Sequence, residues 1–166
     1  ILMKIKSLQS MKYGDPSKRD ISVMKRETPL IQISRDGIQI SPPPSNDSRE
    51  TKSEINYLLR SMNGASQGDK DFIDIADKRV IETIISFAIE NDLNFDENYL
   101  RDLKNQLTSL ILNIKYKFNR PRPFQIAKAL NSKFPRSESV SANTPSYPSG
   151  HAIQSHVLTN VLARDN

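Results

Sequence analysis

The chain of 166 residues has no cysteine and no tryptophan, only five glycines and only two histidines. Without cysteine there are no disulfides, no thiolate metal site and no thiol nucleophile, which argues against a redox role for the protein part. The compartment stays open, because secreted proteins can also lack cysteine. Long apolar runs are missing too. The longest, "IISFAI" at 84–89, falls far short of the roughly 20 residues needed to span a bilayer, so nothing reads as transmembrane and no signal peptide is visible. Acidic residues are scarce in one region only: residues 101–136 hold nine Lys or Arg against the single acid Asp102, although the net charge of the whole chain is a modest +5. That segment is the anion-facing part.

The length suits one globular domain with an appended segment. Residues 1–52 read as an N-terminal extension and proline-rich linker: "IQISRDGIQIS" (31–41) alternates around Asp36-Gly37 as a small β-hairpin would, and "SPPPSNDSRETKS" (41–53) holds three consecutive prolines. Residues 53–166 read as an all-α helical bundle. Thr51-Lys-Ser-Glu54 fits a capping box for a first helix, which "NGASQGDK" (63–70) ends. A second helix is expected from about Lys70 to Asn91, with Ile73, Ala76, Val80, Ile84 and Phe87 as its apolar stripe. Asp96 should cap a third, striped by Leu100, Leu103, Leu107, Leu110, Ile111, Ile114 and Phe118 as far as Asn119. Pro121 and Pro123 force Arg120 and Arg122 out of helical geometry. A short helix over "FQIAKAL", a polar loop (131–148) and a final helix from near Ser149 complete the chain. The chain opens on Ile1 and ends in an uncapped helix pattern, which leads us to expect a fragment truncated at its C-terminus.

Two stretches carry chemistry. In "TPSYPSGH" (144–151), Ser149 is a good N-cap, Gly150 lets backbone approach a ligand, and the free amides of the first helical turn can receive an anion. His151, in that same turn, is placed to give or take a proton at neutral pH. On a helical wheel it sits over Leu158 and Leu162 at the mouth of the core, whereas His156 falls with Thr159 and Asn160 on the surface. In "KYKFNRPRPF" (115–124), Lys115 is separated by six residues from Arg122-Pro123. A flexible ammonium and an extended guanidinium together can bind the oxygens of a phosphoryl group, the Arg fork taking two and the Lys neutralising the rest. The wheel alone does not separate Lys115 from Lys117.

Lys115-x6-Arg122-Pro123 followed by Pro148-Ser149-Gly150-His151 resembles the first two of the three signature motifs of the type 2 phosphatidic acid phosphatase and vanadium haloperoxidase superfamily. Only Lys115 satisfies the first motif, because the alternative Arg120-Pro121 would need a lysine where Asn113 stands. The resemblance covers roughly residues 97–163. It implies a metal-independent phosphatase of the soluble, acid-phosphatase-like branch, acting on a small phosphate ester. In it Lys115, Arg122, Ser149 and the Gly150 amide would bind phosphate, and His151 would protonate the leaving oxygen. No metal or organic cofactor is implied, except vanadate if the chain were a haloperoxidase. The family's nucleophile belongs to a third motif, Ser-Arg-x5-His-x3-Asp, which this sequence does not contain; His156 has no Ser-Arg pair at that spacing and cannot replace it. A phosphohistidine mechanism is thus expected only of a longer protein, and turnover is not expected of these residues alone. The other reading is a non-catalytic polyanion or nucleic-acid module using residues 101–136, against which stands the absence of an evident aromatic stacking platform. The sequence does not disclose the oligomeric state.

Overall fold

A computed structural model describes residues 7–32, 37–135 and 139–166. Its helices are α1 (Lys18–Met24), α2 (Arg49–Gly64), α3 (Gln67–Lys78), α4 (Val80–Glu90), α5 (Glu97–Phe118), α6 (Pro123–Ala129) and α7 (Gly150–Arg164), with a 3₁₀ turn at Val140–Asn143. The fold is all-α, and no strand occurs among the described residues. Of the expected hairpin over 31–41, residues 33–36 lie outside the described residues, and residues 31–32 and 37–41 form no strand.

Side-chain caps set most of the helix starts. Ser17 and Asp20 form a reciprocal capping box on α1, and Ser66 and Asp69 form another on α3. Ser48, Asp96 and Ser149 each accept an amide of the helix that follows. Each such cap satisfies a backbone donor that has no partner inside the helix. The start of α2 corrects the expected Thr51–Glu54 box: Ser48 caps the helix three residues earlier, and Thr51 is buried with its hydroxyl donating to Ser45 O at 2.9 Å.

The helix expected over 70–91 is two helices. Arg79, at φ −132° and ψ 40°, closes α3 through its amide to Ile75 O and opens α4 by accepting from Thr83 N. The break turns a different face inward. Ile81, Ile84, Ile85 and Ala88 are buried, while Ile73 and Phe87 of the expected stripe are 60% and 56% exposed. Neither glycine nor proline marks this break in the sequence.

The long helix α5 is the spine of the molecule. Its Leu100, Leu103, Leu107 and Ile111 meet Ile81, Ile84, Ile85 and Ala88 of α4 and Leu158 and Leu162 of α7 in one core. A second, smaller cluster joins Leu8 and Ile55 to Ile126 and Ala127 of α6. The segment read as an extension packs on α5 as well. Asn113 donates to Met24 O at 3.0 Å, and Tyr116 donates its hydroxyl to Asp20 at 2.9 Å.

Candidate functional site

Where α5 ends, the chain reverses direction. Asn119 takes the left-handed conformation (φ 52°, ψ 39°) and ends the helix, and Pro121 and Pro123 then hold the intervening residues extended. Arg120 turns to one side, where it donates to Glu54 at 2.8 Å and Thr51 at 3.2 Å. Arg122 turns to the other. Its guanidinium donates through Nε to Thr144 O at 2.7 Å and through Nη2 to Ser141 O and to Thr144 Oγ1.

Lys115, one helical turn before the end of α5, is 6% exposed and donates to Pro145 O at 2.6 Å. Lys117 is exposed. The ambiguity of the helical wheel is resolved by this inward turn of Lys115. The buried Lys115 and the half-buried Arg122 therefore grip the 141–145 loop through its carbonyls, and Ser146 ties that loop to the proline segment by donating to Pro121 O at 2.8 Å and Arg120 O at 3.0 Å. The grip does not exhaust them. An ammonium has three donors and a guanidinium five, so two on Lys115 and those of Nη1 on Arg122 stay unused by the contacts seen among the described residues.

Above these cations stands the start of α7. Ser149 caps it by accepting from Ala152 N at 3.2 Å, which leaves the Gly150 and His151 amides unclaimed among the described residues. Gly150 packs close to α5: a Cβ built there would sit 3.4 Å from Ile111 and 3.8 Å from Lys115 Cε, so the helix terminus lies directly beside the ammonium. Lys115, Arg122, Ser149, Gly150 and His151 all line one cleft of about 410 Å³. Residues far apart in sequence are thus brought together in one cleft. His156 points away, exposed and beside Asn160.

Burial dominates the electrostatics. It pushes the Lys115 ammonium down from 10.5 to about 8, and the charge of Arg122 adds to the effect. Burial also lowers Arg122, against opposing effects of Tyr13 and Asp77. Two cations held in this state are short of counter-charge, the condition under which an anion binds.

One participant is not legible in the sequence. His151 Nε2 lies 3.2 Å from Asp77 O and 3.6 Å from Asp77 Oδ1, with the Asp77 side chain 11% exposed at the end of α3. Both oxygens are acceptors, so Nε2 carries the ring proton and Nδ1 is the nitrogen left to exchange one. Burial opposes charge on Asp77, but hydrogen bonds from Ser139 and Ser141 and the proximity of His151 outweigh it and hold the carboxyl below its ordinary range. In the sequence, Asp77 looks like one more acid on a charged helix face. Only the tertiary fold puts it beside His151.

This arrangement can hold a tetrahedral oxyanion, phosphate or vanadate alike, and can pass a proton to it. It does not assemble a serine nucleophile, because no hydroxyl of the cleft is hydrogen-bonded to His151 among the described residues. No cluster of three or more His, Asp or Glu that could hold a metal ion occurs among the described residues. The chain matches no protein-family model, no curated protein and no solved structure, so the reading of this cleft rests on its own residues.

Proposed function

We propose that this chain carries the phosphate-binding and proton-donating part of a metal-independent phosphomonoesterase site similar to that of the type 2 phosphatidic acid phosphatase and vanadium haloperoxidase superfamily. The observation that carries the reading is the burial of Lys115 beside Arg122 in the cleft that also receives the free N-terminal amides of α7. Lys115 and Arg122 neutralise the phosphoryl oxygens, and the Gly150 and His151 amides donate to one of them. His151 is placed to give a proton, as the imidazolium and from Nδ1, to the ester oxygen when a nucleophile from outside these residues attacks phosphorus, while Asp77 holds the opposite edge of the ring. Nothing in these 166 residues supplies the third-motif histidine, so their own chemistry is oxyanion binding without turnover.

The rest of the basic segment supports this reading over a polyanion-binding surface. Arg101 is paired with Glu97 and Glu82, and Arg120 with Glu54, so these two of its cations are already matched by carboxylates. Calorimetric titration with inorganic phosphate tests the proposal. Saturable one-site binding is expected, weakened about tenfold or more in Arg122→Ala, since a hydrogen bond to a charged group contributes roughly 1.5–3 kcal/mol. Binding that survives this substitution unchanged would refute it.

A further inference from the structure

The cleft is larger than a phosphate requires, and one wall of it comes from the N-terminal segment. A phosphoryl group displaces only a few waters of roughly 30 Å³ each, so much of the 410 Å³ is left for the remainder of a ligand. Ser17, Arg19, Asp20 and Val23 line that cleft together with the residues of α5 and α7. The wall is fastened to α5 along its length. Tyr13 N donates to Asn119 O at 3.0 Å, Asn119 Nδ2 donates to Gly14 O at 3.1 Å, and Tyr116 and Asn113 hold Asp20 and Met24.

The two charges of this wall are in different states. Asp20 is held in place through one oxygen, Oδ2, which accepts from Ser17 Oγ at 2.8 Å and from the Tyr116 hydroxyl at 2.9 Å. Arg19, its neighbour, is exposed and forms no ion pair among the described residues. It is a cation anchored on a fixed backbone, facing the same space as Lys115 and Arg122 but on a different wall. We infer that Arg19 is a specificity-determining residue, selecting phosphate esters that carry a second anionic group, such as a carboxylate, on the alcohol side. This rests on the phosphate reading of the cleft and adds to it a substrate class and a role for the N-terminal segment.

A matched pair of esters tests the inference. Glycerol 3-phosphate and 3-phosphoglycerate differ in that a hydroxymethyl group becomes a carboxylate, and inorganic phosphate serves as the reference for the phosphoryl subsite alone. The chain is expected to bind 3-phosphoglycerate about threefold or more tighter than glycerol 3-phosphate, the size of a partly solvated ion pair. Arg19→Gln should bring that ratio to about one and leave inorganic phosphate affinity unchanged; its exposed position makes the variant safe for folding, checked by circular dichroism. Equal affinities for the two esters in the unaltered chain, or a ratio that Arg19→Gln does not move, would overturn the role of Arg19 while phosphate binding that depends on Arg122 still stands. No binding of inorganic phosphate, or binding indifferent to Arg122→Ala, would overturn the phosphate reading and this inference with it.

Discussion

Lys115 lines the cleft at a cost to the fold, because its charge is buried. Its ammonium titrates near 8 in the folded chain against 10.5 for a free lysine, so between those values the unfolded chain binds more protons and stability rises with pH. Below about pH 8 the full penalty of burying the charge is present. A shift of that size corresponds to about 3 kcal/mol. Lys115→Met should therefore gain stability relative to the unaltered chain at pH 7 and lose about that much of its advantage by pH 10.5, as read by urea unfolding at the two pH values. An equal difference at both would contradict the burial of the charge. The same residue also marks what sequence can and cannot disclose. Motif spacing singled out Lys115, but the carbonyl of Pro145 that receives it became visible only when α5 and the loop were placed together.

At the scale of elements, the helices whose signals are local were the legible ones. Asp96 caps α5 and Ser149 caps α7 where their positions before an apolar run predict it, and α5 ends at its Asn119 cap, just ahead of the proline pair, where the sequence leads one to expect it. The failures share a cause. The break at Arg79 has no local signature and follows from the demand that Ile81, Ile84 and Ile85 face α5 and α7, and the placement of Asp77 beside His151 follows from that break. The docking of α1 on α5 was equally hidden, because it relies on main-chain acceptors such as Met24 O rather than on an apolar pattern. The start of α7 permits a quantitative check. Ser149→Ala should cost about 1 kcal/mol of unfolding free energy by removing the acceptor for Ala152 N. A calorimetric melting temperature indistinguishable from that of the unaltered chain would show that the cap does not hold this terminus.

Considered as a whole, the molecule is a spine with two functions on one helix. The N-terminal half of α5 builds the core with α4, while its last turns carry Lys115 to the cleft and lead into Arg122. α7 repeats this division in reverse, with Gly150 and His151 at its start and Leu158 and Leu162 buried further along. Core packing thus fixes the distance between the two sides of the cleft, which is why Lys115 and Arg122 meet Gly150 and His151 across α6 and a polar loop. Perturbation of the amides of this cleft by an anion tests that convergence most directly. In a ¹H–¹⁵N correlation spectrum titrated with inorganic phosphate, the Gly150 and His151 amides are predicted to shift saturably along with the Arg122 side chain, and in Arg122→Ala the same amides should need about tenfold more phosphate or beyond. Shifts scattered over exposed lysines such as Lys117, with Gly150 and His151 unmoved, would contradict the account.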